Sequence, residues 1–282
     1  MQPANKTSKY ANTVAVANDL LHYTELRAQN LGLPAEQSKL WYYGVSYGTV
    51  LGATFASLFP NRIGRMILDG VVDADDYYEG GWNMNLFDTD KAAKTFFTYC
   101  HQASPELCAF HGNASSPEQI ERRFYKLFND LREHPILISD PSVSFMPVLV
   151  GWQALKAVFL ISMYDSIQKF PSLASILNDL EHGNGTSLAI SSGRAFIEEP
   201  VNSTDEEYVS NYGRTQIACI DANGRFNMST FEQYENHTDY LLNQSFYGGN
   251  TWAAMVGMPC RAFDIKPPES QVFSGRQKLL TG

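Results

Sequence analysis

The chain has 282 residues, 44% of them hydrophobic and 18% charged, enough for a sizeable core in one large domain or two smaller ones. Its formal net charge of −9 argues against nucleic acid or an anionic membrane as partner and mildly favours ligands that carry a positive group. No apolar run approaches the length needed to span a bilayer, and the opening MQPANKTSKY lacks the apolar core of a secretory signal.

In chain order, Val14, Val16, Leu20, Leu21 and Leu26 fall at helical spacing and predict a helix over Asn12–Ala28, ended by the Leu31-Gly32-Leu33-Pro34 step. Leu40 to Tyr43 is a short apolar strand. The Gly44-Val45-Ser46-Tyr47-Gly48 turn follows it and leads into a helix over Thr49–Phe59, where Gly52, Ala53 and Ala56 allow close packing beneath a sheet. A strand, then Gly-x-Ser-x-Gly, then a helix is the pattern of a nucleophile elbow: Gly44 and Gly48 permit the crowded turn, and Ser46 is lifted clear of the sheet as candidate nucleophile. The N–H of Tyr47 opens the helix and points toward negative charge developing on a substrate oxygen, which is half an oxyanion hole. Pro60 to Gly64 turn the chain, and Arg65 to Val72 form a second buried strand. Strand, helix, strand at this spacing implies a parallel sheet, and Asp69 and Asp73 sit at the strand end where α/β sheets place their chemistry.

From Asp75 to about Arg214 the texture changes to helices with polar loops, including Asp90–Cys100, Pro117–Arg132 and Gly151–Lys169, without a sequence of alternating strands. This is read as a helical cap that closes over a serine site and excludes water. Trp82 and Trp152 are read as core, and the Glu198-Glu199 pair as a solvated loop whose functional alternative is a seat for a substrate ammonium. Further helices are expected over Thr230–Asn243 and Gly249–Val256, with an extended exit from Pro267-Pro268.

Seven glycosylation sequons, at Asn5, Asn113, Asn184, Asn202, Asn227, Asn236 and Asn243, exceed the roughly two or three that average Ser and Thr usage gives. The four cysteines form no CxxC and have no histidine at metal spacing, so disulfides fit better than zinc. Cys100 with Cys108 and Cys219 with Cys260 is the expected pairing, out of three possible connectivities. Both features point to the secretory pathway. No metal or organic cofactor is implied.

The segment YYGVSYGTVLGATFASLFPNRIGRMILDGVVD resembles the elbow region of secreted tripeptidyl aminopeptidases, proline iminopeptidase-like serine peptidases of the α/β-hydrolase fold. The resemblance continues through WNMNLFDTDKAAKTFFTYC, CAF and QIACIDA to MPCRAFDIKPPESQVFSG and so covers nearly the whole chain. It implies a partial α/β-hydrolase core over residues 1–75, a helical cap over 76–214, and over 215–282 the start of the family's C-terminal region. It also implies an acyl-enzyme on Ser46, an oxyanion N–H from Tyr47, and a peptide substrate with a free N-terminus from which short peptides are released.

The family's His-Gly-Gly oxyanion loop, its Asp in a GNTxDPxTP-like segment and its later His-Gly are absent from this sequence, so the chain reads as a fragment, inactive or nearly so by itself. The remaining bases are His101, His111, His134, His182 and His237, with His22 read as a surface residue; the acids are Asp69, Asp73 and Asp221, of which Asp69 is the best substitute. A sheet without its outer strands is also expected to expose apolar edges and lower solubility. The alternatives are an esterase on the same scaffold, since an elbow serine does not dictate the acyl bond, and a noncatalytic pseudoenzyme that only binds.

Overall fold

Asn12 accepts the Ala15 N–H at 2.9 Å and so starts helix α1 (Thr13–Asn30). Strand β1 (Leu40–Val45), helix α2 (Tyr47–Leu58) and strand β2 (Ile63–Asp69) follow. The structure is a computed structural model that describes residues 7–193, 206–226, 228–255, 257–261 and 263–275. Asn5, Asn202, Asn227 and the Glu198-Glu199 pair lie outside the described residues. The remaining α-helices are α3 (Ala74–Glu79), α4 (Thr89–Leu107), α5 (Pro117–Glu133), α6 (Trp152–Met163), α7 (Ser166–Glu181), α8 (Thr186–Ser191), α9 (Glu206–Ala222), α10 (Phe231–Gln244), α11 (Gly249–Met255) and α12 (Gly257–Cys260). The chain is thus helix-rich α/β and divides into two compact units, one of residues 1–85, 204–237 and 254–282, the other of residues 86–203 and 238–253.

In the first unit β1 and β2 pair in parallel, with Trp41 opposite Arg65 and Val45 opposite Asp69. α1 and α2 cover one face, where Ala17, Leu40 and Phe55 are buried among Leu20, Leu21, Tyr42 and Leu51. The alternation of a strand sends the intervening residues to the other face, and there Trp41, Tyr43, Val45 and Ile67 are 68%, 63%, 53% and 63% exposed. Parallel sheets are normally covered on both faces, and in this one the second face is exposed. The Cys219–Cys260 disulfide ties α9 to the segment that follows Met255.

In the second unit α4 to α8 close around a ring-rich core in which Phe96, Phe97, Phe124, Phe159 and Tyr247 are buried, with Phe159 edge-on to Phe96 and Phe124 and tilted against Phe97 and Tyr247. The Cys100–Cys108 disulfide clasps the end of α4, which kinks at Ser104 (φ 62°) just before Pro105. Two features depart from the sequence expectation. The single helix predicted over Gly151–Lys169 is two, because Asp165 leaves the helical region (φ −144°, ψ 68°) and α7 packs against α6. A short antiparallel hairpin, β3 (Ile136–Ile138) with β4 (Val148–Val150), stands where only helices and loops were read.

Lys156 is buried on α6, donates to Asn250 Oδ1 at 3.0 Å and lies 3.9 Å from the Phe246 ring, with Phe128 and Trp152 beyond. Burial pushes its pKa down from 10.5 to about 8, while the rings favour the cation and soften that penalty. The unfolded chain therefore binds the extra proton between about pH 8 and 10.5, and stability from this group rises with pH across that window. Lys156→Met should stabilise the protein by about 2 kcal/mol at pH 7, with the advantage fading as pH approaches 10 in parallel thermal melts.

Candidate active site

Ser46 joins β1 to α2 with φ 54° and ψ −122°, a backbone geometry that non-glycine residues rarely adopt and that costs about 1–3 kcal/mol. Its surroundings hold it there. The Ser46 N–H donates to the Asp69 carbonyl at 3.1 Å, continuing the sheet into the turn. The Ser46 carbonyl accepts from both the N–H and the hydroxyl of buried Thr49, at 2.8 and 2.7 Å, and the Val72 N–H donates to the same hydroxyl at 3.0 Å. Beneath the turn, the Tyr42 hydroxyl donates to the Gly48 carbonyl at 2.7 Å. A Cβ on Gly44 would lie 2.4 Å from that same carbonyl oxygen, so the residue type is dictated by space. The Ser46 side chain is exposed, and Tyr47 opens α2, so its N–H is one of the first-turn donors without an acceptor inside the helix.

Asp69 ends β2 beside the elbow, but its carboxylate takes the Tyr43 hydroxyl at 3.0 Å and contacts no histidine. Asp73 caps α3 by accepting the Asp76 N–H at 3.0 Å. The histidines are scattered. His22 is exposed on α1; His237 is buried against Phe226 at 4.9 Å, and that burial lowers its pKa. His101 and His111 stack on each other at 5.6 Å in the second unit, which also holds His134 and His182 on its surface. Among the described residues Ser46 Oγ has no hydrogen-bond partner, and no group of three or more His, Cys, Asp or Glu side chains could hold a metal. No described helix is long and apolar enough to cross a membrane. The sequon asparagines Asn113, Asn184, Asn236 and Asn243 are exposed. Trp82 packs on Tyr77, and Trp152 on Phe128.

Thr13, Tyr42 and Thr49 were not singled out from the sequence, yet they bracket the elbow. The Thr13 hydroxyl meets the Tyr47 hydroxyl at 2.7 Å, and burial pushes the Tyr47 phenol up to about 12. Only Tyr42 carried a signal in the sequence, as an inward-facing residue two before Gly44.

An exposed serine at positive φ between a parallel strand and a helix accords with the proteins this chain is similar to, which are serine peptidases and hydrolases. Over 232 residues, 82% of its length, the chain is 42% identical to the tripeptidyl aminopeptidase of Streptomyces lividans and to that of Streptomyces coelicolor. A stretch of 64 residues, 23% of the chain and 11% of the relative, is 47% identical to the serine protease Hip1 of Mycobacterium tuberculosis. The chain spans 39% of the length of the two aminopeptidases. No family model matches it.

Proposed function

We propose that this chain carries the acylating centre of a serine exopeptidase of the α/β-hydrolase fold. Ser46 is the nucleophile, the Tyr47 N–H is one oxyanion donor, and the substrate is a peptide with a free N-terminus. The observation that carries the reading is the Ser46 backbone, held at φ 54° by the Asp69 carbonyl and Thr49 so that an exposed hydroxyl stands at the head of α2. The similarity to two tripeptidyl aminopeptidases supports the peptide substrate. Two disulfides and four exposed sequon asparagines among the described residues support passage through an oxidising, glycosylating compartment.

With no base hydrogen-bonded to Ser46 and Asp69 engaged by Tyr43, acylation is slow and deacylation slower, so this chain forms a stoichiometric adduct in place of turnover. In that step Ser46 Oγ bonds to the acyl carbon, the leaving group departs with the electron pair, and the hydroxyl proton passes to solvent. The test is the p-nitrophenyl ester of a free-amine tripeptide against its N-acetylated form, followed by intact mass and peptide mapping. The expected result is an acyl adduct on Ser46 that forms about tenfold faster with the free amine, consistent with an ion pair between the ammonium and the acidic chain. Equal rates with both esters would favour a general esterase. No adduct at Ser46 would favour a noncatalytic binding protein.

A further inference from the structure

Asp221 is the most buried carboxylate described, 5% exposed on α9, and lies 208 residues from the chain it binds. Its Oδ1 accepts the Thr13 N–H at 3.0 Å, which is an otherwise unpaired donor at the start of α1, so the carboxylate also sits at that helix's positive end. Its Oδ2 accepts the Thr13 hydroxyl at 2.5 Å and the Tyr77 hydroxyl at 2.8 Å. A hydroxyl has one proton. Because Thr13 gives its proton to the carboxylate, its oxygen can only accept from Tyr47, and the order of donors is fixed: Tyr47 to Thr13 to Asp221. Tyr47 is the residue after Ser46, and its ring is further confined against Tyr77 at 5.9 Å.

We propose that Asp221 is a positioning residue for the elbow, fixing the first turn of α2 and with it the Tyr47 N–H through the Thr13 hydroxyl. This rests on the reading of Ser46 and Tyr47 as the acylating centre. The groups that face Asp221 are Tyr47 from α2, Tyr77 and Tyr78 from α3, and Arg225 just beyond α9, whose guanidinium donates to the Asp221 and Tyr78 carbonyls; Thr13 of α1 brings no charge. Burial pushes the Asp221 carboxyl up to about 6, against the pull of its three donors and Arg225. A neutral carboxyl keeps an accepting oxygen, and a pKa raised in the folded state means that protonation does not loosen the closed elbow.

The experiment measures hydrogen-exchange protection of the Ser46 and Thr49 amides, which donate to the Asp69 and Ser46 carbonyls. Thr13→Val should lower that protection about tenfold relative to the unmodified chain at pH 7. Tyr47→Phe and Asp221→Asn should show the same low value, and Thr13→Ser should restore the original one. Should Asp221→Asn fail to fold, the Thr13→Val and Thr13→Ser pair decides by itself. Protection in folded Thr13→Val within twofold of the unmodified chain would overturn the proposal. The readout needs no substrate, so absence of an adduct at Ser46 would sink the nucleophile assignment and leave the positioning role standing or falling on exchange alone.

Discussion

Ser46→Ala should remove the acyl label that the tripeptide ester leaves on the elbow peptide, while the melting temperature stays within about 2 °C. The loss follows from deleting the one oxygen that the turn presents to solvent. The preserved stability follows from the backbone: serine and alanine both carry a Cβ and pay the same strain at φ 54°, and the hydrogen bonds that hold the turn come from the Ser46 N–H and carbonyl, which alanine keeps. Asp69→Asn is the informative companion. Its side chain is held by Tyr43 and not by a base for Ser46, so its effect on acylation should stay below about threefold. A drop with Asp69→Asn comparable to that with Ser46→Ala would mean that Asp69 takes part in the chemistry.

Gly44→Ala should cost about 3 kcal/mol, lowering the melting temperature by about 10 °C, and should expose the elbow amides to exchange. A methyl at this position would lie 2.4 Å from the Gly48 carbonyl oxygen and 2.6 Å from the Tyr42 ring. The carbonyl belongs to the first turn of α2 and accepts the Tyr42 hydroxyl, so neither neighbour can yield without breaking the bond that braces the turn. The second glycine of the motif differs. At Gly48 the nearest atom to an added Cβ is the Tyr42 hydroxyl at 3.3 Å, the movable end of a side chain, and Gly48→Ala should cost less than half as much. Calorimetry of the two variants side by side separates a crowded turn from a generally glycine-sensitive segment.

The elbow was legible because its signal is local: an apolar strand, two glycines flanking a serine and a small-residue helix all fall within twenty residues. The hairpin of β3 and β4 was not, since three residues per strand are too few to show alternation and nine residues separate them. The break between α6 and α7 was hidden because the apolar spacing runs unbroken through Tyr164 and Asp165, and nothing of glycine or proline marks the turn. For the cysteines, composition allowed three pairings, and only spatial separation, with Cα atoms 5.3 and 5.1 Å apart, selects between them. Asp221 could be named as one acid among several, but its role depends on Thr13, Tyr47 and Tyr77, which no window of sequence brings together.

That last link has a bearing on synthesis. Thr13 leaves the ribosome long before Asp221, and at ordinary elongation rates the interval is about 10 to 40 s. For most of it the elbow's own residues are already made, while the carboxylate that orders the Tyr47 and Thr13 hydroxyls does not yet exist. The nascent chain therefore carries its candidate nucleophile in a turn that lacks this brace, beside a bare face of Trp41, Tyr43, Val45 and Ile67, until Asp221 emerges.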